Sequence, residues 1–250
     1  MGIKLVNKCL DEADFKLICI VTNSREKCSP DFRKFLDNLN KTFDSEILVY
    51  EWTPRLIDDI DFINIVRSSD IGLSGYFGHK IPMELISEFK HGIVNLHPSL
   101  LPIGRGSHPI VWSILENKKQ GATIHLMDSS LDTGEILWQS EIQGSISDTS
   151  ENIYVKATDI LLENVSQIVQ DWVDGKLELK SNSGESTVHK AVDLKEVQEK
   201  NLETIDSLEN HIKWINAMKF ANGGRAIVKN SKGEKWRVEI HMSQIEMESK

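Results

Sequence analysis

Two short segments carry side chains fit for acid–base and electrostatic chemistry. The first is Asn95-Leu96-His97-Pro98-Ser99-Leu100-Leu101-Pro102-Ile103-Gly104-Arg105-Gly106, which leaves an apolar run ending at Leu96. Asn95 and His97 stand two apart, so on a continuing strand an amide donor and an imidazole share one face. The second, His125-Leu126-Met127-Asp128-Ser129-Ser130-Leu131-Asp132-Thr133-Gly134, is a strand-like run followed by an acidic loop. Ligands of open parallel sheets bind beyond the carboxyl ends of the strands, which is where both segments would lie. Each also has an ordinary reading. Asn, His, Pro and Ser are common turn residues, and Asp132 alone reads as a cap or a solvated loop carboxylate. His79, Lys80 and Arg105 are cations at strand ends that could meet substrate phosphates, although Lys80 reads equally as a surface lysine. Tyr76 and Phe77 read equally as pocket lining or as core. His97 with His108 or His125 could suggest a metal-dependent hydrolase. No HxH or HxxxH spacing supports that, and no metal is expected.

What must position these residues is an alternation of strand-like and helix-like runs up to about residue 175. Residues 15–22, 47–50, 71–74 and 92–96 read as buried strands. Between them, 29–43, 58–68 and 82–89 read as helices, with Pro30 and Pro82 near their first turns. That order implies right-handed crossovers and a mostly parallel sheet in an α/β fold. Residues 122–127 and 135–142 follow and could pair antiparallel. The clearest helix comes next. Asp148 is its expected N-cap with Glu151 at capping-box spacing, and Ile153, Ala157, Leu161, Val165 and Val169 fall on one face before a stop at Gly175. A polar loop at 180–186 is the expected boundary between a domain at 1–180 and a small extension at 181–250. In the extension, Asp193 with Glu196 marks one capped helix, and Ile205, Leu208, Ile212 and Ile215 another. Residues 226–240 read as a hairpin with Trp236, Val238 and Ile240 on one face. The chain opens in a helix, 3–13, where a doubly wound sheet normally opens with a strand. Either a first strand is missing or the fold does without it.

Composition bounds the rest. A chain of 250 residues suggests one large domain with a smaller appendage. With 40% hydrophobic and 27% charged residues it is ordinary globular material, not a disordered or collagen-like chain. Lys and Arg total 29 against 38 Asp and Glu, and the net charge of -9 disfavours a nucleic-acid partner. No apolar run approaches the roughly 20 residues of a membrane span, and the first residues do not open a signal peptide. Cys9, Cys19 and Cys28 are odd in number and lack a CxxC spacing, so no disulfide framework is indicated. The expectation is a soluble, cytoplasmic protein without a membrane partner.

Together the two segments resemble the formyltransferase family that uses 10-formyltetrahydrofolate. Asn95-Leu96-His97, Ser99-Leu100-Leu101-Pro102, Arg105-Gly106 and Asp132-Thr133-Gly134 match the family pattern in order and spacing. The resemblance covers roughly residues 70–175, including Gly121-Ala122-Thr123-Ile124-His125 and the long helix. It implies a Rossmann-like catalytic core with Asn95, His97 and Asp132 as the catalytic residues. It also implies a folate donor contacted by Phe77, Ile81, Leu100, Met127, Asp128 and Leu131. The acceptor would then meet Tyr76, His79, Lys80 and Arg105. Formyl transfer needs donors for a developing oxyanion, which Asn95 and His97 supply, and a carboxylate to hold the ring, which Asp132 supplies. Gly134 is expected to let the backbone turn tightly toward the crevice.

Four acceptors are possible within the resemblance. Methionyl-tRNA formyltransferases carry a longer C-terminal barrel, and the charge here is unfavourable for RNA. Glycinamide ribonucleotide formyltransferases open with a Gly-Ser-Asn phosphate loop, and formyltetrahydrofolate hydrolases with a regulatory domain; neither is present. Sugar N-formyltransferases remain. Thr187-Val188-His189-Lys190-Ala191-Val192-Asp193-Leu194, the Arg105-Gly106-Ser107-His108-Pro109 loop and a Gly-Gly-x-Ala hairpin resemble that group. The resemblance therefore implies a nucleotide-linked amino sugar as partner, with a homodimer as one option for assembly. A folate- or nucleotide-binding module without activity is the alternative from a different class, motivated by the absent first strand.

Overall fold

A computed structural model describes residues 1–42, 46–204, 207–220 and 226–243. Its elements are helix α1 (Gly2–Asp11), strand β1 (Cys19–Thr22), α2 (Pro30–Thr42), β2 (Leu48–Glu51), α3 (Ile60–Ser68), β3 (Gly72–Gly75), α4 (Met83–Ile86) and β4 (Ile93–His97). There follow β5 (Arg105–Gly106), α5 (Pro109–Leu115), β6 (Gln120–Leu126), β7 (Ile136–Ile142) and α6 (Ser150–Val173). The last are β8 (Val188–His189), α7 (Leu194–Val197), β9 (Glu199–Asn201), α8 (Leu208–Met218), β10 (Ile227–Lys229) and β11 (Lys235–Arg237). The fold is mixed α/β, and no described helix is long and apolar enough to cross a membrane.

Two units divide the chain. The first comprises 1–97, 123–138 and 160–182, and the second 98–122, 139–159 and 183–250. In the first unit β1 pairs parallel with β2 and β3 with β4, as the strand–helix alternation requires. The order β3-β4-β6-β7 then turns mixed, because β6 runs antiparallel to β4. Strand β1 is shorter than the 15–22 run, since β2 offers only Leu48–Glu51 to pair with it. Helix α4 likewise ends at Ile86, because Glu88 and Phe89 tighten onto the carbonyls of Leu85 and Ile86. Leu56, Phe62, Val66, Leu85, Ile86 and Ile93 form one core, and Val6, Ile20, Leu36, Leu39 and Ile47 a second. The three cysteines are free; burial pushes the Cys9 and Cys19 thiols up to about 11.

The second unit packs α5 and α8 around Val111, Leu194, Trp214, Ile215, Ala217 and Met218. Its tail contains the expected hairpin, β10–β11, and β9 adds a parallel strand that the helical reading of this stretch did not anticipate. Val238 and Ile240 pack against this core, whereas Trp236 stays 46% exposed. Helix α8 is capped by Ser207, whose hydroxyl accepts from Asn210 N, and Leu208 is exposed. Ile205, the Gly223-Gly224 pair and Phe43 lie outside the described residues. Asp193 does not cap α7; its carboxylate accepts instead from Lys190 N upstream.

The cap of α6 also differs from the expected Asp148–Glu151 box. Thr149 precedes the helix, and its hydroxyl accepts from Asn152 N at 3.2 Å. Asp148 accepts from Ser145 N at 2.8 Å and from Lys156 Nζ at 2.8 Å. A carboxylate already holding a lysine is better spent there than on an amide the threonine can reach. At the other end Gly175, at φ 69, closes α6, with Lys176 N bonded to Asp171 O. Thr149→Ala should cost about 1 kcal/mol of unfolding free energy in a denaturant titration. A matching loss from Glu151→Ala instead would restore the Asp148–Glu151 box.

Candidate active site

Antiparallel pairing of β4 with β6 sets Asn95 directly opposite His125 and His97 opposite Thr123. The period-two alternation of β4 puts Asn95 and His97 on one face, and the register adds His125 to it. The Asn95 amide nitrogen lies 3.1 Å from His125 Nε2. On its other side the His125 ring places Nδ1 2.7 Å from Leu126 O. A carbonyl only accepts, so Nδ1 carries the proton and Nε2 of the neutral ring accepts from Asn95. That contact fixes which end of the Asn95 amide faces away from the ring.

Asp132 completes the arrangement. Its carboxylate stands between two imidazoles, 3.8 Å from His97 Nδ1 and 3.7 Å from His125 Nε2. His97 and His125 are buried, and the Asp132 side chain is 12% exposed. One ligand atom from each of the three lies within 4.8 Å of the others. Motif spacing could not reveal this cluster, because His125 reaches the site through strand pairing across 30 positions rather than through a local pattern.

The loop that delivers Asp132 is held by contacts of its own. Asp132, not the glycine after it, takes the left-handed conformation, at φ 52. Gly134 is required for another reason: a Cβ there would sit 1.9 Å from Leu126 O. This corrects the expectation that Gly134 supplies the turn. Asp128 is committed to the loop, accepting from Thr133 Oγ1 at 2.7 Å and Ser130 N at 3.0 Å. Asn182, read from sequence only as part of a polar linker, is buried and donates to Asp132 O at 3.0 Å and Gly134 O at 2.9 Å. No pattern announces it, since an asparagine among Ser and Gly looks like any turn residue.

The remaining expected contacts are more dispersed. Ile81 is buried in the core with Phe77 and Met127 against it, so these three serve packing whatever else they touch. Phe77 also meets Trp52 edge-on at 5.8 Å and His79 at 5.5 Å. Tyr76 holds φ 58, Lys80 is exposed and Leu131 is 55% exposed. Leu100 and Arg105 belong to the second unit. There Leu100 packs over Gly121, and Arg105 N donates to Thr187 O at 2.9 Å.

The profile of the formyl transferase family matches residues 3–168, which include all of this cluster. The chain belongs to that family. Among relatives, this family member is 36% identical over 151 residues to methionyl-tRNA formyltransferase of Bacillus thuringiensis, covering 59% of this chain and 48% of that protein. It thus spans about half the length of the curated relatives it matches. Its fold is similar to that of a 4-N formyltransferase from Francisella tularensis, at 22% identity and TM-score 0.78 over 97% of this chain and 93% of that one. A sugar N-formyltransferase from Shewanella shares 22% identity and TM-score 0.71 over 92% and 99%. The formyltransferase PseJ from Anoxybacillus kamchatkensis is 27% identical, with TM-score 0.53 over 72% and 89%. It was crystallised in complex with UDP-4,6-dideoxy-4-formamido-L-AltNAc and tetrahydrofolate.

Two measurements check this geometry. Asn182→Ala leaves two carbonyls of the Asp132 loop without their donor and should cost about 1–3 kcal/mol in denaturant unfolding. Burial pushes the His125 imidazole down to about 4, with the His97 ring acting in the same direction. The unfolded chain, with an ordinary histidine near 6.5, therefore binds a proton that the folded chain refuses. Stability should fall as pH drops from about 6.5 towards 4. His125→Gln should flatten that slope in midpoint-versus-pH data; an unchanged slope would assign it to another group.

Proposed function

We propose that this family member transfers a formyl group from 10-formyltetrahydrofolate to the amine of a nucleotide-linked amino sugar. The observation that carries the reading is the convergence of Asn95, His97 and Asp132, with His125 setting the Asn95 amide. The folate donor supplies an activated formyl group, whose transfer to an amine passes through a tetrahedral carbon with a negatively charged oxygen. Asn95 gives one N–H to His125 and keeps a second for that oxygen. His97 donates to the same oxygen through its ring. Asp132, in ion-pair range of His97 Nδ1, stabilises positive charge on that ring and keeps its orientation. The intermediate then collapses by breaking the carbon–nitrogen bond to the folate. His97 and Asp132 between them provide the route that carries the proton lost by the attacking amine to the departing folate nitrogen. None of these steps asks for a metal.

The acceptor rests on the second unit and on PseJ. The Thr187–Leu194 segment, which resembles sugar N-formyltransferases, pairs with the loop that carries Arg105. Gly104 N donates to Thr187 Oγ1 at 2.8 Å, and β5 runs parallel to β8. Beside it His189 stacks on Trp112 at 3.8 Å and meets Glu116 at 2.7 Å. The nucleotide-sugar complex of PseJ supports the same acceptor class. Methionyl-tRNA is the second reading, favoured by the 36% identity to methionyl-tRNA formyltransferase. A net charge of -9 weighs against it.

Purified protein, 10-formyltetrahydrofolate and a panel of nucleotide-linked amino sugars beside charged initiator tRNA should give a formylated sugar by mass spectrometry. Formylation of the tRNA alone would favour the second reading. Asn95→Ala and His97→Ala should each lower kcat by about a hundredfold or more while folate binding changes far less. Near-normal turnover in either would sink the assigned roles. Dialysis against a chelator should leave activity intact.

A further inference from the structure

We propose that His97, His125 and Asp132 form a binding site for a divalent transition metal, best suited to Zn2+, whose occupation excludes the catalytic arrangement. Two imidazoles and a carboxylate are a donor set that zinc accepts, with a fourth position left for water. The carboxylate already stands 3.7 and 3.8 Å from the two rings, and one ligand atom of each residue lies within 4.8 Å of the others. Tetrahedral zinc with bonds of about 2.0–2.2 Å spans ligand pairs of roughly 3.4 Å, so closure needs only modest ring and loop adjustment. The Nδ1 proton of His125 is fixed on Leu126 O, which leaves Nε2 as the ligating atom. Ligating histidines are commonly held by such a bond. Asp132 is delivered by a loop that Asn182 anchors through two carbonyls. The site is therefore preorganised by contacts that do not involve a metal.

Exclusion follows from a shared lone pair. His125 Nε2 receives Asn95 Nδ2 at 3.1 Å, and the same lone pair cannot serve an amide hydrogen and a metal together. Zinc would displace Asn95 and occupy His97 and Asp132. The inhibition this implies rests on the proposed formyl transfer; the binding does not.

The test begins with chelator-stripped full-length protein titrated with zinc sulfate in equilibrium dialysis, with cobalt chloride as a spectroscopic substitute. One zinc equivalent should bind, and Asp132→Asn and His125→Ala should weaken it by on the order of tenfold or more. Asn95→Ala should bind zinc at least as tightly as the parent, because a competitor for Nε2 is gone. Cobalt should give the visible absorption of a tetrahedral site in the parent and in Asn95→Ala, but not in Asp132→Asn. Thermal melts identify any variant that fails to fold; if His125→Ala does, Asp132→Asn decides. Equal zinc affinity and an equal cobalt spectrum in the parent and Asp132→Asn would overturn the site. Weaker zinc binding by Asn95→Ala would overturn the exclusion. Where the acceptor panel shows formyl transfer, zinc should suppress it and chelator restore it. Intact zinc binding with no formyl transfer to any acceptor would keep the site and remove the functional reading.

Discussion

The site depends on one register. Antiparallel pairing of β4 with β6 sets Asn95 against His125, and a slip of one residue would turn each strand's functional side chain to the opposite face. The change from parallel to antiparallel pairing at β4 is therefore more than a variation on a doubly wound sheet. It lets the next strand bring an imidazole to the amide and then run straight into the loop that carries the carboxylate. Strand pairing, amide orientation and carboxylate position are thus consequences of a single ladder.

The Asp132 loop then needs little freedom. Its start is fixed by Met127 N on Ile93 O and its return by Leu126 N on Glu135 O. Asp128 organises the interior through Thr133 and Ser130, while Asn182 ties the far end to the segment after α6. Two carboxylates four positions apart consequently have different surroundings. One is saturated by loop hydroxyl and amide donors, and the other faces two imidazoles. Placing a carboxylate beside buried rings is how such sites separate the duties of chemically identical side chains.

Much of this was legible in the sequence, and the exceptions share a cause. The parallel strands, the long helix with its Gly175 stop and the terminal hairpin all follow from local periodicity and turn chemistry, which a linear reading detects. So does the placement of His97 at the exit of β4, with Asn95 two positions before it. Antiparallel β6, by contrast, leaves the sheet level with Val94, so the loop carrying Asp132 has to come back to reach His97. What escaped depends on partners distant in the chain. His125 was visible as a histidine but not as the neighbour of Asn95. Asn182 offered only a polar linker residue. The cap of α6 went to Thr149 because Lys156 engages Asp148, and β9 formed because β10 lay ready to pair with it. Gly134 was singled out correctly but for the wrong reason: it makes room for a carbonyl, while Asp132 itself bears the backbone strain.

The second unit is assembled from three separated stretches, and its core joins Val111 on α5 to Trp214 and Met218 on α8. During synthesis on a ribosome, α5 emerges long before the helix that covers it. Until the final segment is released, Val111 and its neighbours have no partner face, whereas every stretch of the first unit has been made by residue 182. Nascent chains of this protein therefore pass through an interval in which one half has all its residues and the other still shows apolar surface. A chaperone that binds such surface would find its target in that interval.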